Sequence, residues 1–191
     1  MAGGVQGAIV IIGLLFYSVQ EAKELRGTRI QYFSTEHPRI LYYDRNIVEY
    51  ANLTSRRVSR KDPFYYVDFN ARTLTSLGNN VTVNFYFFEF LTNVYKRGFI
   101  EMHFRGCDFI NKDSFFAGAL RRQANSSILA QCPYPKGNYH FHNMSIPLSQ
   151  VPRGFPFTKG RIYCNLTITD TDIVFGSGYI DLELKTTRIS N

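Results

Sequence analysis

Two stretches near the C-terminal end alternate so regularly that they leave little choice of local conformation. In "RIYCNLTIT" Ile162, Cys164, Leu166 and Ile168 fall on every second position, and in "YIDLELK" Ile180, Leu182 and Leu184 alternate with Tyr179, Asp181, Glu183 and Lys185. A period of two gathers such residues on one face of a strand, whereas a helix would scatter them around its axis. The linker "DTDIVFGSG" makes the two a predicted hairpin.

The same period recurs upstream. "VTVNFYFFEF", residues 81–90, puts Val81, Val83, Phe85 and Phe87 on one face. After "LTNVYKRG", read as a turn, "FIEMHFRGCDF" at 99–109 does the same for Ile100, Met102 and Phe104, so these segments form a second predicted hairpin. Residues 65–74 supply another strand, and "PRILYYDRN" with "NIVEYANLT" one or two more. One short helix is predicted at about 113–123, where Phe115, Phe116 and Leu120 share a face after Asn111 or Asp113 as cap. Many short strands separated by Gly, Pro, Asn and Asp indicate an all-β sandwich or barrel, and 191 residues suit one domain.

The first 22 residues are set apart by the apolar run "AIVIIGLLFYSV". At about 12 residues it suits a signal peptide and is shorter than the roughly 20 that span a bilayer. The expected organisation is therefore a signal peptide at 1–22 and a single domain at 23–191, in a secreted, extracellular protein. Five sequons, at Asn52, Asn80, Asn125, Asn143 and Asn165, agree with a glycoprotein. They also test the strand faces independently, because a glycosylated Asn must meet water. Asn80 and Asn165 are out of phase with their apolar neighbours, as required. Asn143 is not: strict alternation would turn Tyr139 and Phe141 outward with it and His140 and His142 inward, unless a bulge or the strand's end intervenes.

Cys107, Cys132 and Cys164 allow at most one internal disulfide and leave one thiol over. A bridge between the first two would close a loop around the predicted helix. On the apolar face of its strand Cys164 reads as a buried, inert thiol, with an intermolecular disulfide as the alternative. The net charge is +7, one unit more without the leader, which suits anionic head groups, sulfated glycans or acidic partners. Nucleic acid is not expected as a partner of a secreted chain.

The sequence carries no Gly-x-Ser-x-Gly elbow, no phosphate-binding glycine loop and no His-Glu-x-x-His. His140 and His142 share a strand face and His103 would be needed as a third metal ligand, but polar residues on a strand edge account for them, so no metal and no cofactor is expected. The basic run "RRVSRKDP" reads as a solvated loop. A hydrolase would require one of these histidines to converge with an acid in space. Seventeen Phe and thirteen Tyr, on both faces of "NFYFFEF", give either a dense core with a loop over the second face or the walls of an apolar pocket.

The succession "FRGCDF", "CPYPKGNYHFHNMSIPL", "FPFTKGRIYCNLTI" and "GYIDLELK" resembles the insect branch of the ganglioside-activator-like, or ML, lipid-recognition proteins, and within it the chemosensory CheB-like proteins, over about residues 65–187. The resemblance implies an immunoglobulin-like β-sandwich of two antiparallel sheets with a hydrophobic cavity between them, a disulfide joining Cys107 to Cys132, and Cys164 pointing into the cavity. Unlike many relatives, this chain has no cysteine pair before Cys107. The expected function is that of a secreted, non-enzymatic binding protein for a lipid or other hydrophobic small molecule, in chemosensation such as pheromone response or in lipid transfer, with a membrane receptor as a further partner. Its expected cavity residues are Val83, Phe85, Phe87, Ile100, Met102, Phe104, Ile162, Cys164, Leu166, Ile180, Leu182 and Leu184. The alternative is an extracellular interaction module or receptor co-subunit with a solid core.

Overall fold

A computed structural model describes residues 28–60, 62, 64–112, 117–118, 132–145 and 158–189. The expected signal peptide and Asn125 lie outside them. The chain divides into two units, one of Met1–Gln31 with Thr186–Asn191 and one of Tyr32–Lys185. The first contributes only strand ends to the described residues; everything below concerns the second.

Eight strands and one described helix follow in order: β1 (Thr28–Tyr43), β2 (Val48–Arg56), β3 (Tyr66–Thr73), β4 (Val81–Leu91), β5 (Val94–Arg105), α1 (Gly106–Lys112), β6 (Gly137–Met144), β7 (Lys159–Ile168) and β8 (Val174–Ile189). They form a five-stranded sheet, β1-β8-β7-β4-β5, and a three-stranded sheet, β2-β3-β6. The registered pairs are antiparallel. This is the predicted sandwich, and the predicted faces meet in its core: Val81, Val83, Phe85 and Phe87 are all buried on β4, and Ile162 and Leu182 on β7 and β8.

Both hairpins are longer than their sequences suggest. Thr92 and Asn93 have positive φ (49° and 63°) and turn the chain in two residues, so β5 starts at Val94 and not after Gly98. Two successive left-handed residues match the twist of the strands they join. The strand absorbs the added length in a bulge. Tyr86 pairs with Glu101 and Phe88 with Arg97, so Phe87 faces three residues and Phe99 is 88% exposed. In β8 the "GSG" read as a turn is strand. A Cβ on Gly178 would lie 2.6 Å from the Arg39 carbonyl oxygen, so glycine here admits the close approach of β1.

Of the two ways out of the conflict at Asn143, a bulge or the strand's end, a bulge is present, one residue before β6 ends at Met144. Phe69 pairs with Phe141 and Val67 with Met144, which leaves one extra residue on β6, and Asn143 has φ 55°. Tyr139 and Phe141 are consequently buried, and His140, His142 and Asn143 exposed. Asp68 secures the bulge by accepting the Asn143 N–H (2.8 Å) and pairing with Arg56 (2.7 Å), which also donates to Asn143 Oδ1 (2.7 Å). Burial opposes ionisation of Asp68, but these donors hold its carboxyl below the usual range.

The segment "GCDF" belongs to α1 and not to a strand. Asp108 and Lys112 form an i,i+4 pair (3.0 Å), Asn79 Oδ1 accepts the Cys107 N–H (3.2 Å), and Phe109 and Ile110 are buried. Of the helix expected at 113–123 only Ala117 and Gly118 are described, both helical and buried. Cys107 is bonded to Cys132, with Cα atoms 5.8 Å apart and a sequence separation of 25. Replacing both by serine should lower unfolding free energy by about 3 kcal/mol in the chain-entropy picture. Urea denaturation checks this, and a loss under about 1 kcal/mol would mean that the loop is ordered without its bond.

Candidate functional site

The sheets do not fill the space between them. A cavity of about 440 Å³ lies inside the Tyr32–Lys185 unit, walled by β1, β4, β7 and β8 on one side, β2, β3 and β6 on the other, and α1 with Tyr134. Among the described residues that line it there is no Asp, Glu, Lys, Arg or His. Tyr42 both lines it and is 50% exposed, so the cavity reaches solvent beside β1.

Six of the twelve residues expected at a cavity are on its wall: Val83, Phe85, Ile162, Cys164, Leu166 and Ile180. The other six are not. Phe87 and Leu182 are 2% exposed, and Ile100, Met102, Phe104 and Leu184 pack against the same core cluster. The cause on β5 is α1, whose Phe109 lies 5.9 Å from the Phe104 ring and 5.5 Å from that of Phe85, covering the strand's inner face. The opposite wall was not foreseen. Val67, Phe69 and Ala71 of β3 and Phe141 of β6 line it, and the alternation in "VDFNA" carried that signal. Tyr134 belongs to the "CPYPKG" turn that helped carry the resemblance, but it was not expected on the wall.

Cys164 lies on the wall with its thiol unpaired. It retains accessible surface, yet burial pushes its pKa up to about 12. The two agree if that surface is cavity wall and not bulk water, where an apolar setting disfavours the thiolate. Iodoacetamide at mildly alkaline pH should therefore leave Cys164 unmodified in the native protein and label it once denatured, as read by intact mass. Rapid native labelling would place the thiol in water.

The histidines fall on outer faces in two sheets, so His103 does not join His140 and His142. His103 Nδ1 is 2.7 Å from Asn84 Oδ1, and His140 Nδ1 is 2.8 Å from Asn70 Oδ1. Among the described residues no three potential ligands converge on a metal position. Three histidines do approach acids, His142 at 3.7 Å from Asp68, His103 at 3.6 Å from Glu101 and His37 at 3.7 Å from Asp181. Each acid also binds an arginine, and among the described residues no hydrogen bond joins a serine, threonine or cysteine to any of these rings. Asn52, Asn80 and Asn143 are exposed and Asn165 is half-buried on the outer face of β7.

The second aromatic face of β4 is covered by neighbouring side chains. Phe88 meets Tyr163 (4.9 Å) and Phe90 meets Tyr95 (4.8 Å). Arg161 lies over Tyr179 (3.8 Å) and Tyr95 (4.1 Å) and is bidentate to Asp181 (2.6 and 3.2 Å). Burial opposes its charge, but the carboxylate outweighs it and raises the guanidinium pKa.

Fold and cavity together define a hollow β-sandwich with apolar walls. Residues 80–162, from the residue before β4 into β7, match the model of a protein family of unknown function, DUF1091, over less than half of the chain. No curated protein matches it.

Proposed function

We propose that this protein is a secreted, non-enzymatic carrier of a lipid or other hydrophobic small molecule, of the ML-like, CheB-like kind, acting in chemosensation or lipid transfer. The observation that carries the reading is the cavity of about 440 Å³ between the sheets, with no charged side chain among its described lining residues. Its size falls within the range of small-molecule sites, and a void of that volume is costly in a protein that has no use for it, because interiors otherwise pack as densely as organic crystals. The apolar leader, the sequons and the disulfide support secretion.

The test is native mass spectrometry on protein expressed through a secretory pathway and deglycosylated, beside a solvent extract of the same material. A bound species of lipid mass, released on denaturation, is expected. A clean apo mass with no uptake from a panel of fatty acids, sterols and hydrocarbons would sink the carrier and favour the interaction module.

A further inference from the structure

The outer face of the three-stranded sheet holds a pair of histidines that the cavity does not use. His140 and His142, two apart on β6, are both exposed, with ring planes 4° from parallel and centroids 6.3 Å apart. β3 supplies an anchor for each, again two residues apart. Asn70 Oδ1 accepts a hydrogen bond from His140 Nδ1 (2.8 Å), and Asp68 Oδ1 lies 3.7 Å from His142 Nδ1. The second anchor depends on the bulge, which sets both His142 and Asn143 against Asp68. Adjacency along β6 was legible in the sequence; the two anchors on β3 were not.

These contacts decide which ring nitrogens remain. A neutral imidazole that donates through Nδ1 carries its lone pair on Nε2, and among the described residues neither Nε2 makes a hydrogen bond. Metal-binding histidines are held in this way, with the other ring nitrogen against an oxygen acceptor. With Nε2 ligands about 2.0–2.1 Å from an ion, the ring centroids fall about 5 Å apart at a tetrahedral angle and about 6.4 Å apart in line, a span that includes the 6.3 Å found. The cations already on this face are compensated: Arg56 pairs with Asp68 (2.7 Å) and Arg72 with Glu49 (3.1 Å). Imidazole donors select zinc, copper and nickel, whereas magnesium and calcium take oxygen ligands.

We propose that His140 and His142 chelate one divalent transition ion of the zinc and copper class through their Nε2 atoms, with Asn70 positioning the first ring and Asp68 behind the second. Two protein ligands leave the other coordination positions to water, so the ion is exchangeable and does not hold the fold together. The site stands apart from the carrier reading, because neither histidine lines the cavity.

The experiment is calorimetric titration of tag-free, secreted protein with Zn²⁺, with Mg²⁺ as the control ion, for wild type, His140→Asn, His142→Asn, the double variant and Asn70→Leu. Wild type should bind one Zn²⁺ per chain and give no binding heat with Mg²⁺. Asn70→Leu should weaken Zn²⁺ binding about tenfold without removing a ligand, and each single histidine variant should weaken it further. The double variant should show no binding in the wild-type concentration range, although His37 and His103 are still present. Both histidines are exposed, so the metal-free variants that lack them should melt within a few degrees of wild type. Single variants that keep the wild-type dissociation constant would show two independent imidazoles and no chelate. That result, a double variant that binds as wild type does, Asn70→Leu with unchanged affinity, or Mg²⁺ bound as tightly as Zn²⁺ would each overturn the proposal.

Discussion

Leu166→Trp is expected to weaken ligand binding close to a hundredfold in a protein that stays folded. Leu166 lies on the cavity wall and is only half-buried by its neighbours, so an indole has free volume to enter. In a solid core the same change would overpack and cost about 1–3 kcal/mol. Here the melting temperature should move by no more than a few degrees, while a ligand displaced from about 100 Å² of wall forfeits about 2.5 kcal/mol, close to a hundredfold in Kd. The chain contains no tryptophan, so the introduced indole reports on its own surroundings. Its emission should be blue-shifted, as in an apolar site. A variant that unfolds, or that takes up the members of the fatty-acid, sterol and hydrocarbon panel as wild type does, would show that Leu166 does not border usable space.

Phe87→Ala should produce the largest loss of stability. Phe87 is 2% exposed, lies opposite Ile162 and belongs to the core cluster without lining the cavity. Removing a fully buried phenylalanine costs about 3–5 kcal/mol through lost transfer energy and the hole left behind, a large share of the 5–15 kcal/mol typical of a whole domain. Phe99, in the bulge facing it, is 88% exposed, and its replacement by alanine should stay within about 0.5 kcal/mol. Urea midpoints at unchanged slope decide between them. A Phe87→Ala cost below about 1 kcal/mol would mean that the core is loose throughout and not only at the cavity.

The contrast between Leu166 and Phe87 shows how far local pattern reaches. Both stood on predicted inward faces, yet one borders empty space and the other is enclosed. The twelve expected cavity residues divide evenly by the same distinction, which alternation does not encode. On β5 the cause is α1, formed by "GCDF" where a continued strand was expected, so that Phe109 occupies the space in front of Phe104. At Asn143 parity alone gave the wrong face for four residues, and only the extra residue in β6 restores Tyr139 and Phe141 to the core.

By itself the sequence determined the all-β class, the inward faces of β4, β7 and β8 and the outward direction of Asn80 and Asn165, and its family resemblance named the Cys107–Cys132 pair. A period of two is a property of neighbouring residues, so it survives without knowledge of the rest of the chain. The tertiary structure alone decided that β1 joins the sheet beside β8, and which residues of β3, β6 and β7 wall the cavity between the sheets, with Tyr134 among them. Those features depend on the volume left when side chains distant in sequence meet, and volume is settled only when both sheets are in place.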